Sequence, residues 1–385
     1  MKVRTFLKVL GGAIILPATL GLPGCSAEIP SEATSGWRGP DPEADIRRWV
    51  LSYALLAPHS HNLQSWVADL RQPDEIVLRC DLSRLLPETD PYFRQIMMSH
   101  GTFLELLDLA ARERGYKSDI TLFPEGSFDA LQLDARPVAR IRLLPDASIQ
   151  KDPLFAQILK RRTNRSIYDA QRAVPTQAWQ AMSKALGSAA VLLDYVDLAK
   201  PEAMAQHRKI ASDAWRIEMT TPRTILESYK VLRVGADEIL KHRDGLSIMD
   251  PKLVWLDRLG LFDRSRAPAP DAYATTSQIK EFDAKIDSTP AFLWVKTARN
   301  DRVAQIAAGR AYARVQLAAT AHGVAMQPLQ QALQEYTEQQ ANHQAIHQLC
   351  GATPSGQTVQ MWARVGFAPA VPAAPRRPLA EILRT

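Results

Sequence analysis

Two short segments carry side chains suited to gripping a small polar ligand. In Ala57-Pro58-His59-Ser60-His61-Asn62-Leu63-Gln64-Ser65-Trp66, Asn62 and Gln64 each offer one carbonyl acceptor and two amide donors, with His59 and Ser60 just ahead of them. At i and i+2, an extended backbone would point both amides the same way. Neutral amides can read the edge of a flat heterocycle without imposing a charge. In Arg161-Arg162-Thr163-Asn164-Arg165, three guanidinium groups offer paired donors that match a doubly charged phosphate. Together the two segments suit the opposite ends of flavin mononucleotide (FMN). Taken singly, the first also fits a polar turn satisfying its own backbone, and the second a solvated basic face. A further basic pair, Arg376-Arg377, sits among prolines that hold the chain extended, so Arg376 could be presented to a ligand or belong to an ordinary tail.

The surrounding pattern says what must position these groups. Ile46, Trp49, Val50, Tyr53, Ala54 and Ala57 recur at helical spacing until Pro58, so the first segment follows a helix end. Strands are expected at 66–70 and 75–80, a long helix at 91–114, and short strands near 118–123 and 136–144. A second unit opens at Asp152, with a short helix leading into the arginines, a helix near 176–186 and a strand at 191–195. Ala291–Thr297 (AFLWVKT) reads as a strand covered on both faces, followed by a helix over 301–321. Residues 213–275, with Trp215, Tyr229, Trp255 and Tyr273 among helical fragments, read as an inserted lid. Strands that do not alternate regularly with helices predict an α+β fold with a mainly antiparallel sheet and flanking helices.

A chain of 385 residues with 46% hydrophobic and 23% charged content can bury a large core. The formal charge is +6, and half of the excess comes from Lys2, Arg4 and Lys8. What remains is spread out, with no dense basic run interleaved with aromatics, so nucleic acid is not an expected partner. Residues 1–27 have the layout of an export signal peptide: a basic start, an apolar run from Val9 to Leu22 too short for an ordinary membrane span, and small residues around Cys25. Leu22-Pro23-Gly24-Cys25 is similar to a lipoprotein lipobox, which would place the protein in the periplasm or anchor it to a membrane by a lipidated Cys25. The Arg4–Lys8 run is similar to part of a twin-arginine translocation signal, with Val3 where the first arginine would stand. Residues 28–44 read as a linker, 45–150 as a first lobe and 151–385 as a second. Cys80 and Cys350 are expected to be buried thiols.

Ala57–Trp66 resembles the A-P-S-x-x-N-x-Q-P-W signature of the nitroreductase family, Arg161–Arg165 its R-R-S/T-x-R signature, and WARVGFAPAVPAAPRRPLAEI at 362–382 its C-terminus. The order of these motifs and the length are similar to the Acg-type branch, in which two lobes fused in one chain mimic the family dimer. The resemblance implies an FMN-dependent oxidoreductase passing electrons from a small-molecule donor, a nicotinamide or a quinol, to a nitroaromatic, quinone or similar planar acceptor. The flavin would then carry the chemistry, with no catalytic side chain required. By position, Asn62 and Gln64 would meet the ring or ribityl chain, Arg161, Arg162 and Arg165 the phosphate with Arg376 nearby, and Pro328 and Leu329 the ring. Two departures stand out. His59 replaces a serine whose contact Ser60 would have to supply, and Ser65 replaces the proline of Q-P-W. A fused chain could make the dimer interface within itself, so a monomer is expected.

Other chemistries find less support. His343, His347 and Cys350 share a helical face at i, i+4 and i+7 but lack a carboxylate on that face, so no metal is expected. The G-x-S-x-G, P-loop and H-E-x-x-H patterns are missing from the sequence. Two further functions remain open. One is a flavin-sequestering protein closed by its lid, and the other a structural lipoprotein that has lost the cofactor.

Overall fold

The computed structural model describes residues 28–40, 43, 45–186, 190–352 and 356–384; the expected export signal and Cys25 lie outside them. The first lobe runs α1 (Ile46–Ala54), β1 (Trp66–Asp69), β2 (Glu75–Cys80), α2 (Arg94–Glu113), β3 (Tyr116–Leu122) and β4 (Pro137–Pro145). The second begins with α3 (Thr176–Ala185) and β5 (Val191–Asp197). An insertion follows: α4 (Pro201–Thr220), α5 (Pro222–Lys230), β6 (Leu232–Val234), α6 (Gly235–His242), β7 (Leu246–Ile248), α7 (Pro251–Arg258) and α8 (Tyr273–Asp287). The lobe closes with β8 (Ala291–Thr297), α9 (Arg302–Ala321), β9 (Ala325–Pro328), α10 (Gln340–Leu349) and β10 (Thr358–Gly366), then α11 (Leu379–Ile382) and β11 (Leu383–Arg384).

The fold is α+β, and each lobe has its own sheet rather than one shared central sheet. The orders β11-β1-β2-β4-β3 and β5-β8-β10-β9 repeat a single plan, with first strand, second, fourth and third side by side. All pairs in both sheets are antiparallel except β1 with β11. One helix precedes each sheet (α1, α3), and one long helix lies between its second and third strands (α2, α9). A hydrophobic core fills the space between the first sheet and α1 and α2. Cores lie on both faces of the second sheet, which is why every residue of β8 is buried, as its unbroken apolar run predicts.

The long helices cross where each carries a glycine. A Cβ on Gly101 would stand 2.2 Å from the carbonyl oxygen of Ile306, and one on Gly309 would stand 1.9 Å from that of Met98. The contact is reciprocal, glycine of one helix against the carbonyl three residues before the glycine of the other, so a local twofold axis runs through the crossing. The first residues of the two helices obey the same axis. Arg94 donates to the Leu333 and Gln360 carbonyls of the second lobe, and Arg302 to the Tyr92, Asp129 and Ala130 carbonyls of the first.

Three expectations change. The 28–44 linker is partly folded: Ser31–Arg38 forms a short helix with Ala33 and Trp37 buried, because its two apolar side chains meet the body. The boundary at 150/151 is crossed from the far end, since the C-terminal arm returns to the first lobe and adds β11 to its sheet. The insertion is wider than 213–275. In the first lobe β1 reaches β2 through a short turn, whereas β5 reaches β8 only after everything from α4 to α8.

Candidate functional site

The segment after α1 is bent, not extended. His61, Asn62 and Gln64 all have positive φ (49°, 55° and 55°), a conformation costly for residues other than glycine and found where surroundings impose it. Several bonds impose it here. Ser60 N–H donates to Ser99 Oγ (3.2 Å), Thr102 Oγ1 to the Pro58 carbonyl (2.7 Å), and Ser65 N–H to His59 Nε2 (3.0 Å). His59 is thus a neutral imidazole whose Nδ1 donates to the Ser60 carbonyl (2.7 Å), and burial lowers its pKa to about 3.

This backbone redirects both amides. Asn62 Nδ2 donates to the Pro375 carbonyl (3.1 Å), and its Oδ1 accepts from Arg376 (2.7 Å). Gln64 is fully buried: its Oε1 accepts from Arg377 N–H (2.8 Å), and its Nε2 donates to the Arg243 carbonyl (3.0 Å) and to that of Asn62 (3.2 Å). The amides expected to read a ligand edge therefore clamp the C-terminal arm and the insertion to this loop. The expectation fails because it assumed an extended strand. His61 is left facing outward, half-buried, with Nδ1 3.3 Å from Ser60 Oγ and Nε2 3.5 Å from Ser228 Oγ of α5. Burial, and secondarily the Arg165 charge, lower its pKa to about 4, so it too is neutral near pH 7.

Arg161, Arg162 and Arg376 converge. Arg161 and Arg376 both donate to the Leu56 carbonyl (2.8 and 3.1 Å), and Arg161 also meets Gln316 of α9 (3.2 Å). Arg162 donates to the carbonyls of Leu159 and Arg161 (both 2.8 Å). Among the described residues no carboxylate pairs with any of the three, and the buried Nε atoms of Arg161 and Arg376 have no partner. Burial lowers the Arg161 pKa to about 10 and that of Arg376 well below its usual value. Buried cations without counter-ions are expensive, so the cluster is suited to an anion.

Arg165 stands apart from these. Its side chain is exposed to water, yet the surrounding protein lowers its pKa by burial. No hydrogen bond or ion pair to another described residue engages it. Tyr312 and Tyr168 flank it, and the Tyr312 hydroxyl, buried between Arg161 and Arg165, has no partner. Asn164 N–H donates to the Met326 carbonyl (3.1 Å), which sets this segment beside β9. Pro328 on that strand is half-buried, whereas Leu329 packs among Phe292 and Trp362 in the core, away from any cleft. Leu329 is therefore not a ring contact, because its backbone N–H bonds the Trp362 carbonyl and turns the side chain inward (2.8 Å). Sequence reasoning missed Tyr312, Ser228 and Trp37. Of these only Tyr312 left a trace, as the lone tyrosine of the alanine-rich α9.

The insertion is latched over this region. Glu227 accepts from Glu88 N–H (2.9 Å), Thr89 N–H (2.9 Å) and Thr89 Oγ1 (2.7 Å), Asp244 pairs with Arg84 and Arg233, and Gly245 N–H donates to the Asn62 carbonyl (3.1 Å). At its base Glu218 accepts from Gln334 (2.8 Å), and burial raises its pKa from 4.5 to about 7. Folded Glu218 thus keeps a proton that the unfolded chain has released. Stability from this group is full below the unfolded value and is lost as pH rises through 4.5 to about 7. Thermal melts across that range should show Glu218→Gln gaining on the wild type as pH rises, and parallel profiles would contradict the assignment.

No family model matches the chain. It is similar to a protein of Mycobacterium tuberculosis that bears the provisional name NAD(P)H nitroreductase in two strains, 26% identical over 360 residues, covering 89% of this chain and 92% of the relative. Among solved structures, the FMN-dependent nitroreductase NfnB from Mycobacterium smegmatis in complex with NADPH is 17% identical at a TM-score of 0.36, covering 60% of this chain and 96% of that one. A nitroreductase with bound FMN from Bacteroides fragilis is 14% identical at 0.30, covering 57% and 90%. Superpositions this loose do not by themselves fix a fold. Cys80 and Cys350 are free and buried, as expected.

Proposed function

We propose that the chain is an FMN-dependent oxidoreductase of nitroreductase type, passing electrons from a small-molecule donor to a planar acceptor such as a nitroaromatic or quinone. The observation that carries this reading is the cluster of buried Arg161 and Arg376 with half-buried Arg162, paired with no carboxylate among the described residues, in which the Nε atoms of Arg161 and Arg376 and the Tyr312 hydroxyl have no partner. These groups fit a phosphate. Arg165 and neutral His61, near enough for the Arg165 charge to lower the His61 pKa, fit the polar edge of the ring system, and Arg165 would stabilise negative charge gathering there. When bound, the flavin supplies the electron transfer. The chain's part is to hold the phosphate, orient the ring and exclude water beneath the latched insertion. The relative's name supports the reaction class, and the three motifs support the cofactor.

One FMN per chain is the stoichiometry proposed, because the local twofold axis relates unlike residues. Tyr312 and Gln316 correspond to Leu104 and Asp108, at the same spacing from Gly101. On that side Glu105 and Asp108 pair with Arg310, and Glu105 with Arg314 as well. At that equivalent place acids and arginines are paired with one another, unlike the arginine cluster beside Tyr312.

The test is an absorbance spectrum of purified protein followed by anaerobic titration with NADPH, NADH and a reduced quinone. A yellow preparation holding one flavin per chain and bleached by at least one donor is expected. A colourless protein that takes up no added FMN, or a flavin inert to all donors, would overturn the reading. The latch favours a second reading, a flavin-sequestering protein, in which case removing the insertion would create activity that the intact chain lacks. Export, with attachment through Cys25, is part of the proposal and makes a membrane quinol the favoured donor. Monomer remains the proposed state.

A further inference from the structure

We infer that Trp37 is a positioning residue of the phosphate end, so that a segment outside the three motifs completes the binding site. The indole is buried and lies over all three clustered arginines, with guanidinium carbons 5.2 Å (Arg161), 4.4 Å (Arg162) and 5.0 Å (Arg376) from its ring. Its Nε1 donates to the Ala374 carbonyl (2.8 Å), while Arg376 N–H donates to the Ala33 carbonyl (2.9 Å), so the Ser31–Arg38 helix and the C-terminal arm fix one another.

The ring eases a problem the cluster creates. Three like charges held together without a carboxylate repel, and beside the carbonyl and amide oxygens that accept from these arginines, the negative face of an indole is a further compensating group, shared by all three. Lying on one side, it shields that side from water, so that an anion would have to be met from the other. In a dry setting each arginine then attracts the phosphate more strongly. A hydrocarbon of the same bulk would fill the space without holding the guanidiniums together.

This inference rests on the flavin reading, and the experiment separates the two. Dissociation constants for FMN and for riboflavin, which lacks the phosphate, are measured on the full chain and on Trp37→Ala, Trp37→Leu and Trp37→Phe. Trp37→Ala and Trp37→Leu should weaken FMN binding by about tenfold and leave riboflavin within about twofold, with Trp37→Phe close to wild type. Should Trp37→Ala fail to fold, the leucine and phenylalanine pair decides, because only one of them keeps a π face. Equal loss for both flavins would reduce Trp37 to a structural role, unchanged FMN binding would remove any role, and tighter FMN binding would mean that Trp37 competes with the phosphate. Each of these overturns the inference. If neither flavin binds, the flavin reading fails while Trp37 is still judged with inorganic phosphate. A phosphate-dependent rise in Tm seen in the wild type and lost in Trp37→Leu supports the assignment, and no rise in the wild type overturns it.

Discussion

Arg165→Met should weaken FMN binding by roughly tenfold to a hundredfold, the range of one or two hydrogen bonds made by a charged group. The melting temperature of the flavin-free protein should meanwhile stay unchanged or rise. The second half of this expectation discriminates. Removing an arginine that bonds protein groups strands its partners, and Arg161→Met would do so by leaving Gln316 Oε1 without that donor and the Leu56 carbonyl with Arg376 alone. Arg165 strands nothing, because no described residue is hydrogen-bonded to it, and its charge is paired with no carboxylate. Burial already disfavours that charge, and neighbouring Arg364 adds to the repulsion. A neutral side chain of similar length should therefore suit this position at least as well as the native one. Titration of FMN followed by fluorescence quenching, beside thermal melts of both proteins without flavin, measures both halves. An Arg165→Met protein that keeps its affinity, or that melts well below wild type, would mean that this guanidinium serves the fold and not a ligand.

How much of this was legible in the sequence varies by residue and for identifiable reasons. Periodicity placed α1, α2, α3 and α9 and the strands up to β5 because their apolar side chains recur at a regular spacing, and the apolar run of β8 announced a strand covered twice. Residue type marked the arginines, since few environments gather so many guanidiniums without carboxylates. The amides misled. Asn62 and Gln64 are the right types for a ligand edge, but three positive φ values within four residues turn them onto the C-terminal arm, and contacts from α2, the insertion and His59 within the loop hold that backbone. Trp37 lay in a stretch of proline, glycine and serine with no apolar period, so its burial is decided wholly by partners distant in sequence, Ala374 and Arg376 among them. Sheet order was equally out of reach, because β11 joins β1 from the far end of the chain and no local pattern records such a pairing.

The crossing of α2 and α9 carries the second large effect, and it falls on stability. Gly309→Ala should destabilise the protein by about 3 kcal/mol or more, with Tm falling by on the order of 5 °C. Alanine normally favours a helix interior by about 1 kcal/mol over glycine, so propensity alone predicts the opposite sign. Contact decides the outcome. The new Cβ would stand 1.9 Å from the Met98 carbonyl oxygen and 2.7 Å from its carbon, atoms of a helix backbone that cannot swing aside as a side chain can. The helices would have to separate, and with them the two lobes. Since Tyr312 and Gln316 reach the arginine cluster from α9, while Ser99 and Thr102 hold the His59–Gln64 loop from α2, a wider crossing would also pull the loop and the cluster apart. Gly309→Ala should therefore lose flavin along with stability, whereas Arg165→Met loses flavin alone. Gly101→Ala, its mate across the local axis, meets the Ile306 carbonyl oxygen at 2.2 Å and should follow the same course. If either alanine variant melted at or above the wild-type temperature, the close approach of these helices, and the twofold relation built on it, would be wrong.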